Sequence, residues 1–245
     1  MDNLYITQLF DWDQPPTVKR RFVNRLISKL GYEAALVSPF QTGEMTTLEQ
    51  RINIFHLLSQ VLAFKVPGDV VEIGTHSGHS AALFSKVIDS FTPKRQLHVY
   101  DLFESPDESV LLDHFGKLGL NRPTFHKGWL NETLDELPDE VCFFHLDIGP
   151  GRSTPGMIED LTFCLERLYP RMRPGAIGLL ADYCNPAAYD QDGYHFPHVI
   201  LSKRVWNPYP FIKDVCERFF ADKPETMAPL FGGSYSHGYF RKVGG

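Results

Sequence analysis

The stretch VVEIGTHSGHS, residues 70–80, is the most informative part of the chain. Its β-branched start predicts a short strand over residues 70–73, and a helix is predicted from about residue 79 to residue 88. Between them, Gly74 and Gly78 allow the backbone to turn sharply and to approach a ligand closely. The stretch therefore predicts the strand–turn–helix unit of a Rossmann-like α/β fold, with a ligand at the turn.

The spacing of this turn narrows the kind of ligand. The residues follow the pattern Glu-x-Gly-x-x-x-Gly, whereas a dinucleotide site needs Gly-x-Gly-x-x-Gly and a helix N-terminus aimed at the pyrophosphate. S-adenosylmethionine has no phosphate, and Glu72 can pair with its amino-acid and sulfonium portion. Asp101 ends the next predicted strand, where doubly wound folds place a carboxylate on ribose hydroxyls. The pattern favours S-adenosylmethionine, and a nicotinamide-dependent oxidoreductase is an alternative that the spacing opposes.

Strands and helices alternate outward from this unit. The sequence predicts further strands at residues 96–100, 124–126, 141–146 and 176–180, separated by helices at 106–120, 132–137 (capped by Asn131) and 155–169. After a long loop at 185–210 come a helix at 211–220 and two strands, 225–231 and 235–241, around Gly232-Gly233. This order predicts an α/β fold with a mostly parallel seven-stranded sheet that ends in an antiparallel hairpin. Rossmann-like methyltransferases have this topology.

The N-terminal residues 1–40 are predicted to form a helical appendage, separate from a ligand-binding domain at residues 41–245. Thr17 can cap a helix whose apolar residues recur every four positions, namely Val18, Phe22, Leu26 and Leu30. A second helix begins at Thr46 or Thr47, with an apolar stripe of Leu48, Ile52, Phe55, Leu58 and Leu62. Because the first stripe lies outside the α/β core, we expect the appendage to pack against a second subunit, as in a homodimer, or to shield the pocket.

Composition excludes several partners. The chain has 245 residues and a net charge of −6, and it lacks the concentrated positive surface that nucleic acid requires. Its four cysteines show no CxxC spacing, which argues for a reducing compartment. The N-terminus lacks the layout of a signal peptide, and no apolar run approaches the ~20 residues that span a bilayer. We therefore expect a cytoplasmic protein with a small-molecule partner and neither nucleic acid nor membrane.

Two aspartates end neighbouring predicted strands. Asp147 follows the strand at 141–146 and Asp182 follows the strand at 176–180, and the carboxyl ends of adjacent parallel strands face one crevice. Two carboxylates there can hold a divalent cation or act as a base. Alternatively, they cap the segments that follow. His145 shares a strand face with Asp147, so it is either a catalytic partner or a residue of the core.

As an ordered set, several segments resemble the macrocin O-methyltransferases, which methylate sugar hydroxyls in natural-product biosynthesis. The segments are GEMTTLEQR, VPGDVVEIGTHSGHSAALF, VYDLFESPD, FHKGWLNETL, FFHLD, ERLYPRMRPGAIGLLADY and YSHGYFRK. The resemblance runs from about residue 42 to residue 182 and returns at 211–242. It implies contacts to S-adenosylmethionine from Met45, Thr46, Glu72, Gly74, Ser77, Gly78, Ser80, Asp101, Phe103, Gly128, Trp129 and Asp147.

The resemblance also implies magnesium, held by an aspartate at Asp147 and by an Asp-Asp pair. Here that pair is Ala181-Asp182, and Gly149 stands where a second aspartate of the Asp147 motif is usual. A hard divalent cation favours several oxygen ligands, and only Asp147 and Asp182 remain. We therefore expect magnesium to bind weakly or not at all.

Together these features predict an S-adenosylmethionine-dependent O-methyltransferase that acts on a hydroxyl of a small molecule, a sugar or another natural-product intermediate. Asp147 and His145 are the candidate catalytic residues. Because the metal motif is altered, two alternatives are an enzyme that uses the same cofactor for other chemistry and a non-catalytic pseudoenzyme. A third alternative is an interaction module built on residues 1–40.

Overall fold

The computed structural model describes residues 18–30, 48–91, 94–104, 107–121, 123–149, 153–183, 209, 211–230 and 237–244. The helices are α1 (Val18–Lys29), α2 (Leu48–Ala63), α3 (His79–Phe91), α4 (Glu108–Leu118), α5 (Leu130–Thr133), α6 (Thr154–Leu168) and α7 (Phe211–Phe220). The strands are β1 (Asp69–Ile73), β2 (Leu97–Asp101), β3 (Thr124–Lys127), β4 (Val141–Leu146), β5 (Met172–Ala181), β6 (Ala228–Leu230) and β7 (His237–Arg241). Two short 3-10 segments, Leu134–Glu136 and Tyr169–Arg171, follow α5 and α6.

The strands form one seven-stranded sheet in the order β3-β2-β1-β4-β5-β7-β6. The first five are parallel, and β7 runs antiparallel to both β5 and β6. The predicted fold, a mostly parallel sheet that ends in an antiparallel hairpin, is confirmed. The hairpin does not extend the sheet in chain order, because β7 lies between β5 and β6.

Helices cover both faces of the sheet, so that the central strands are buried on both sides. His145 of β4 packs against Phe84 of α3, with ring centroids 5.6 Å apart. On the opposite face, Phe144 packs against Phe240 of β7, which contacts Phe220 of α7 at 4.5 Å. Alternate residues of β4 therefore belong to two different halves of the core.

Gly178 of β5 makes room for the aromatic half of this core. A Cβ atom at this position would lie 2.3 Å from the ring of Phe240 and 2.5 Å from that of Phe144. The absence of a side chain lets the two rings meet across β5. This glycine is therefore required by packing rather than by a turn.

Three local expectations were wrong. Ile52 is 38% exposed, because the buried side of α2 is shifted toward residues outside the predicted stripe, namely the fully buried Ile54 and Val61. The sequence also predicts Val110 on the apolar face of the helix at 106–120, but Val110 is 55% exposed, since α4 packs through Leu111 and Phe115. Asn131 does not cap the helix after β3 but lies inside α5.

Several other expectations concern residues outside the described ranges, among them Thr17, Thr46, Cys184 and the predicted loop at 185–210. The described cysteines, Cys142, Cys164 and Cys216, are free and buried. None of the helices in the described ranges is long and apolar enough to cross a membrane.

Candidate active site

The candidate site lies where the parallel strands end at their carboxyl termini. Of the four non-glycine residues with positive φ in the described ranges, three follow these strand ends: His76 at +46°, Phe103 at +47° and Asp182 at +54°. L-residues adopt such backbone angles at a cost of about 1–3 kcal/mol, and they cluster at functional sites. Backbone strain is thus concentrated at the crevice that the sequence predicts.

The glycine turn after β1 runs against the end of β4. Gly74 has a φ of +81°, and a Cβ atom there would lie 1.9 Å from the carbonyl oxygen of Asp147. The backbone N–H of Asp147 donates to the carbonyl of Ile73 at 2.9 Å. Because only glycine fits this approach, the turn stays close to Asp147 and leaves the crevice open above both strands.

Asp101, at the end of β2, orders the same turn. One carboxylate oxygen accepts hydrogen bonds from the backbone N–H groups of Thr75 at 2.8 Å and His76 at 3.0 Å. The other oxygen accepts from the N–H of Phe103 at 2.9 Å. A carboxylate offers about four acceptor positions, so one remains for an external hydroxyl. The predicted ribose contact is compatible with this arrangement and remains a prediction.

A buried acid–imidazole pair lies below the turn. Glu72 of β1 is fully buried and His145 of β4 is 3% exposed, and Nδ1 of His145 lies 3.3 Å from Oε1 of Glu72. A carboxylate can only accept a hydrogen bond, so Nδ1 of His145 carries a proton and donates it to Glu72. The sequence left His145 open between a catalytic partner and a core residue. The structure makes it the partner of Glu72.

Three buried polar atoms around this pair have no hydrogen-bond partner within the described part of the chain: Oε2 of Glu72, Nε2 of His145 and Oγ1 of Thr75. An unsatisfied buried group costs about 1–3 kcal/mol, and native proteins keep few of them. A polar ligand at the turn would satisfy such atoms. This is the direct structural indication that the crevice binds a polar molecule.

The two predicted aspartates line one cavity. Its walls come from the ends of β4 and β5 and from α6 and α7, including Leu146, Asp147, Met157, Ala181, Asp182, Phe211 and Ile212. Burial raises the pKa of Asp182 to about 7, the negative charge of Asp147 acts in the same direction, and His145 opposes both. Loss of solvation also raises the pKa of Asp147, although part of that residue faces solvent at the rim. Two carboxyl groups are thus held close together where one of them retains a proton near neutral pH.

The residues that the resemblance implies for magnesium do not form a full ligand set. Among the described residues, no group of three or more His, Cys, Asp or Glu side chains could hold a metal ion. Ala181 presents only a methyl group and is 5% exposed. Gly149 has open space where a side chain would be. The residues that the structure describes therefore do not supply the ligands of a tight magnesium site.

The remaining predicted contacts gather around the same edge. Gly128 donates its N–H to the carbonyl of Asp101 at 3.2 Å, which places the 44% exposed Trp129 beside the end of β2. Ser77 is hydrogen-bonded to Nδ1 of His79 at 2.6 Å. Of the other predicted contacts that the structure describes, Phe103 and Ser80 are buried and Gly78 has a φ of +76° in the glycine turn, while Met45 and Thr46 lie outside the described residues.

Sequence reasoning missed two residues of this region. Thr75 stands inside the glycine turn, and that position alone could have marked it as a candidate ligand-binding residue. Its hydroxyl has no hydrogen-bond partner in the described part of the chain. His237 lies in the segment YSHGYFRK, which marked the resemblance. No local pattern connects it to the crevice. Only the pairing of His237 with Ala181 across β5 and β7 brings it there.

Comparison with known proteins gives a consistent result. Residues 71–183 match the family described as a methyltransferase domain. Over 188 residues the chain is 28% identical to 8-demethyl-8-(2,3-dimethoxy-alpha-L-rhamnosyl)-tetracenomycin-C 4'-O-methyltransferase from Streptomyces olivaceus, covering 63% of this chain and 69% of that protein. It is 27% identical over 181 residues to mycinamicin III 3''-O-methyltransferase from Micromonospora griseorubida, covering 61% and 68%.

Among solved structures, an O-methyltransferase from Bacillus cereus in complex with S-adenosylhomocysteine has a similar fold. The TM-score is 0.56 at 14% identity, and the match covers 93% of this chain and 92% of the other. At that identity the likeness concerns the fold alone. The match of residues 71–183 to a methyltransferase domain, the fold and the O-methyltransferase relatives together indicate that the protein is a methyltransferase.

Proposed function

We propose that this methyltransferase transfers the methyl group of S-adenosylmethionine to a hydroxyl group of a small molecule, and that the acceptor hydroxyl belongs to a sugar. The observation that carries the proposal is the set of unpartnered buried polar atoms, on Glu72, Thr75 and His145, beside a glycine turn at the carboxyl edge of the sheet. The sugar acceptor rests on the curated relatives, one of which is named for a rhamnosyl substrate. Macrocin-type O-methyltransferases are thus the subfamily to which we assign the chain.

The described residues can hold the cofactor along the crevice. Oε2 of Glu72 and the hydroxyl of Thr75 are free to receive its amino-acid end, and the remaining acceptor position of Asp101 suits a ribose hydroxyl. The exposed face of Trp129, beside Asp101, suits an adenine ring. Further contacts are proposed for Met45, Thr46, Gly74, Ser77, Gly78, Ser80, Phe103, Gly128 and Asp147.

Bound S-adenosylmethionine supplies a methyl group on a sulfonium centre, which is an electrophile with a neutral leaving group. The protein must then orient the acceptor and remove its proton as it attacks. We assign proton removal to the carboxyl pair of Asp147 and Asp182, because the pKa of Asp182 is raised to about 7 and such a group accepts protons near neutral pH. His145, held by Glu72, opposes the rise in the pKa of Asp182. The proposed reaction uses no tightly bound magnesium.

Calorimetry with S-adenosylhomocysteine tests the cofactor site. The wild-type protein should bind it, and Asp101→Ala should weaken binding by roughly 1.5–3 kcal/mol, as expected for a lost charged hydrogen bond. Asp107→Ala is the matched control, because Asp107 caps α4 outside the site. Binding of NAD without binding of S-adenosylhomocysteine would refute the assignment.

Methyl transfer to sugar-bearing natural products in the presence of a chelator tests the acceptor class and the metal. We expect turnover to persist in the chelator. If activity disappears and magnesium restores it, the proposal of a metal-independent reaction is wrong. Cofactor binding without turnover on any hydroxyl acceptor would instead favour a pseudoenzyme, which the incomplete metal motif leaves as the second candidate.

We also propose that residues 1–40 form an appendage that joins two copies of the chain. The apolar residues Val18, Phe22 and Leu26 of α1, and Leu30 directly after it, are 77%, 68%, 49% and 65% exposed. The helix carries Lys and Arg but no acidic residue, whereas the whole chain is acidic. Charge complementarity thus favours a second copy as the partner of this face.

Size-exclusion chromatography with light scattering tests the dimer. Phe22→Asp should convert it to a monomer, whereas Val110→Asp, on the exposed side of α4, should leave the mass unchanged. Equal masses for both variants and the wild type would contradict the assignment.

The free cysteines further suit a reducing compartment, so we place the protein in the cytoplasm.

A further inference from the structure

His237 is a buried titratable residue to which the proposed function assigns no role. It begins β7, pairs with Ala181 of β5 and is 1% exposed. Its ring meets that of His145 edge to face, with centroids 5.9 Å apart and an interplanar angle of 73°. Because β7 is inserted next to β5, a residue from the end of the chain reaches the Glu72–His145 pair from the side opposite β1.

On its other side, His237 contacts α2. Nδ2 of Asn53 lies 3.5 Å from Nδ1 of His237, so the amide donates and Nδ1 accepts. Burial and the nearby His145 hold the pKa of His237 well below its usual value of 6.5. His237 is therefore a neutral ring, with its proton on Nε2, fixed between helix α2 and the histidine of β4.

The ring of His145 is held by three contacts. Nδ1 bonds Glu72, while Phe84 packs at 5.6 Å and His237 at 5.9 Å. A single hydrogen bond of 3.3 Å does not fix a ring against rotation, so the two packing contacts set its orientation. If His237 were removed, the cavity left behind would let the His145 ring turn away from Glu72.

We infer that His237 is a positioning residue for methyl transfer, which holds His145 and Glu72 in the orientation that presents their unpartnered atoms to the cofactor. This inference rests on the proposed function, because it assumes that Glu72 contacts the cofactor. It also links α2, which follows the segment of Met45 and Thr46, to the floor of the site. His237 itself acts through His145 and not on the reacting atoms.

Two substitutions separate the roles of the ring. His237→Phe keeps the packing against His145 but removes the acceptor for Asn53. His237→Asn keeps an acceptor near the position of Nδ1 but removes half of the ring. If packing orients His145, His237→Phe should bind S-adenosylhomocysteine nearly as the wild type does, and His237→Asn should bind it roughly tenfold more weakly.

The matched control is His126→Asn. His126 is 9% exposed, stacks on Tyr100 at 4.2 Å and bonds Glu136 at 2.9 Å, so it has the same kinds of contacts outside the crevice. We expect His126→Asn to lower the melting temperature without changing the dissociation constant. Nuclear magnetic resonance adds an independent signal, because the Nδ1 proton of His145 should be protected from exchange in the wild type and in His237→Phe, and lost in His237→Asn.

The outcomes separate failure of the proposed function from failure of the positioning role of His237. If the wild-type protein does not bind S-adenosylhomocysteine, the proposed function fails. If the wild type binds and His237→Asn retains its affinity and the protected His145 proton, the positioning role is wrong while the proposed function stands. Equal losses of affinity in His237→Asn and His126→Asn would also overturn it, since they would indicate general destabilisation.

Discussion

Replacement of Asp182 by asparagine should stabilise the protein at alkaline pH while it removes activity. The pKa of Asp182 is raised from its usual value of 3.8 to about 7, by burial and by the charge of Asp147. Between these two pH values the folded protein retains a proton that the unfolded chain has released. The stability of the wild type therefore falls as pH rises from about 4 to 7. Asparagine carries no charge at any pH, so the variant escapes this loss.

The magnitude follows from the same values. Each pH unit between 3.8 and about 7 corresponds to about 1.4 kcal/mol, which sets an upper limit of about 4 kcal/mol. Asp182 is partly accessible to solvent, and it shares the effect with Asp147, so screening reduces this figure. We expect a gain of about 1–2 kcal/mol at pH 8, equivalent to a rise of roughly 3–6 °C in the melting temperature.

Thermal and urea unfolding at pH 5 and pH 8 measure this effect. At pH 5 the folded wild type still holds the proton while most of the unfolded chain has released it, so the gain from asparagine should be only about a third of that at pH 8. Asp222→Asn is the control, because Asp222 is exposed and ion-paired with Lys223, which lowers its pKa. That variant should show no gain at pH 8.

Two results would refute the reasoning. A gain of equal size at pH 5 and pH 8 would mean that asparagine improves packing rather than removing a charge. A loss of stability at pH 8 would mean that the Asp182 carboxylate is well solvated or paired, contrary to its raised pKa. Either result would also weaken the assignment of Asp182 to proton removal.

Further perturbations test other parts of the structure. Gly74→Ala should lower the free energy of unfolding by roughly 2–4 kcal/mol, because its Cβ would lie 1.9 Å from the carbonyl oxygen of Asp147; urea denaturation that shows no change would contradict this geometry. Ala181→Asp combined with Gly149→Asp should create a magnesium site, seen as a melting temperature that rises with magnesium in the double variant but not in the wild type. The pKa of His237 is well below 6.5, so the stability of the wild type should decline as pH falls below 6.5, since only the unfolded chain takes up the proton there. Between pH 7 and pH 5 the free energy of unfolding of His237→Phe should decline less steeply than that of the wild type. Parallel curves for the two proteins would refute the prediction.

Local sequence determined much of the fold. Short apolar or β-branched runs such as VVEI and VCFFHL predict strands because their side chains must be buried on both faces of a parallel sheet, and β1 and β4 form there. The turn at Gly74 was predictable because two closely spaced glycines after a strand permit a sharp turn, although it is the carbonyl of Asp147 that excludes a side chain there. The spacing of Glu72 and the two glycines likewise predicted the cofactor class, and the match to a methyltransferase domain is consistent with that prediction.

The predicted helix faces were wrong where burial depends on elements that are distant in the sequence. The period of α2 predicts an apolar stripe through Ile52, but that helix packs on the sheet and on α3 together, and its buried side is displaced. Val110 is apolar and yet exposed, because α4 meets the rest of the domain through Leu111 and Phe115. Periodicity shows that a helix has an apolar side, whereas the neighbouring elements select which residues are covered.

The composition of the site was decided only by the tertiary structure. That Asp101 would accept hydrogen bonds from the backbone of Thr75 and His76, and that His237 would pack on His145, depend on contacts between residues far apart in the chain. Strand insertion creates the last of these, since β7 enters the sheet beside β5 instead of extending it. A sequence specifies local conformation through interactions among neighbours, but burial, and with it the pKa of a carboxyl group or the orientation of a histidine, is set by the elements that the folded chain brings together.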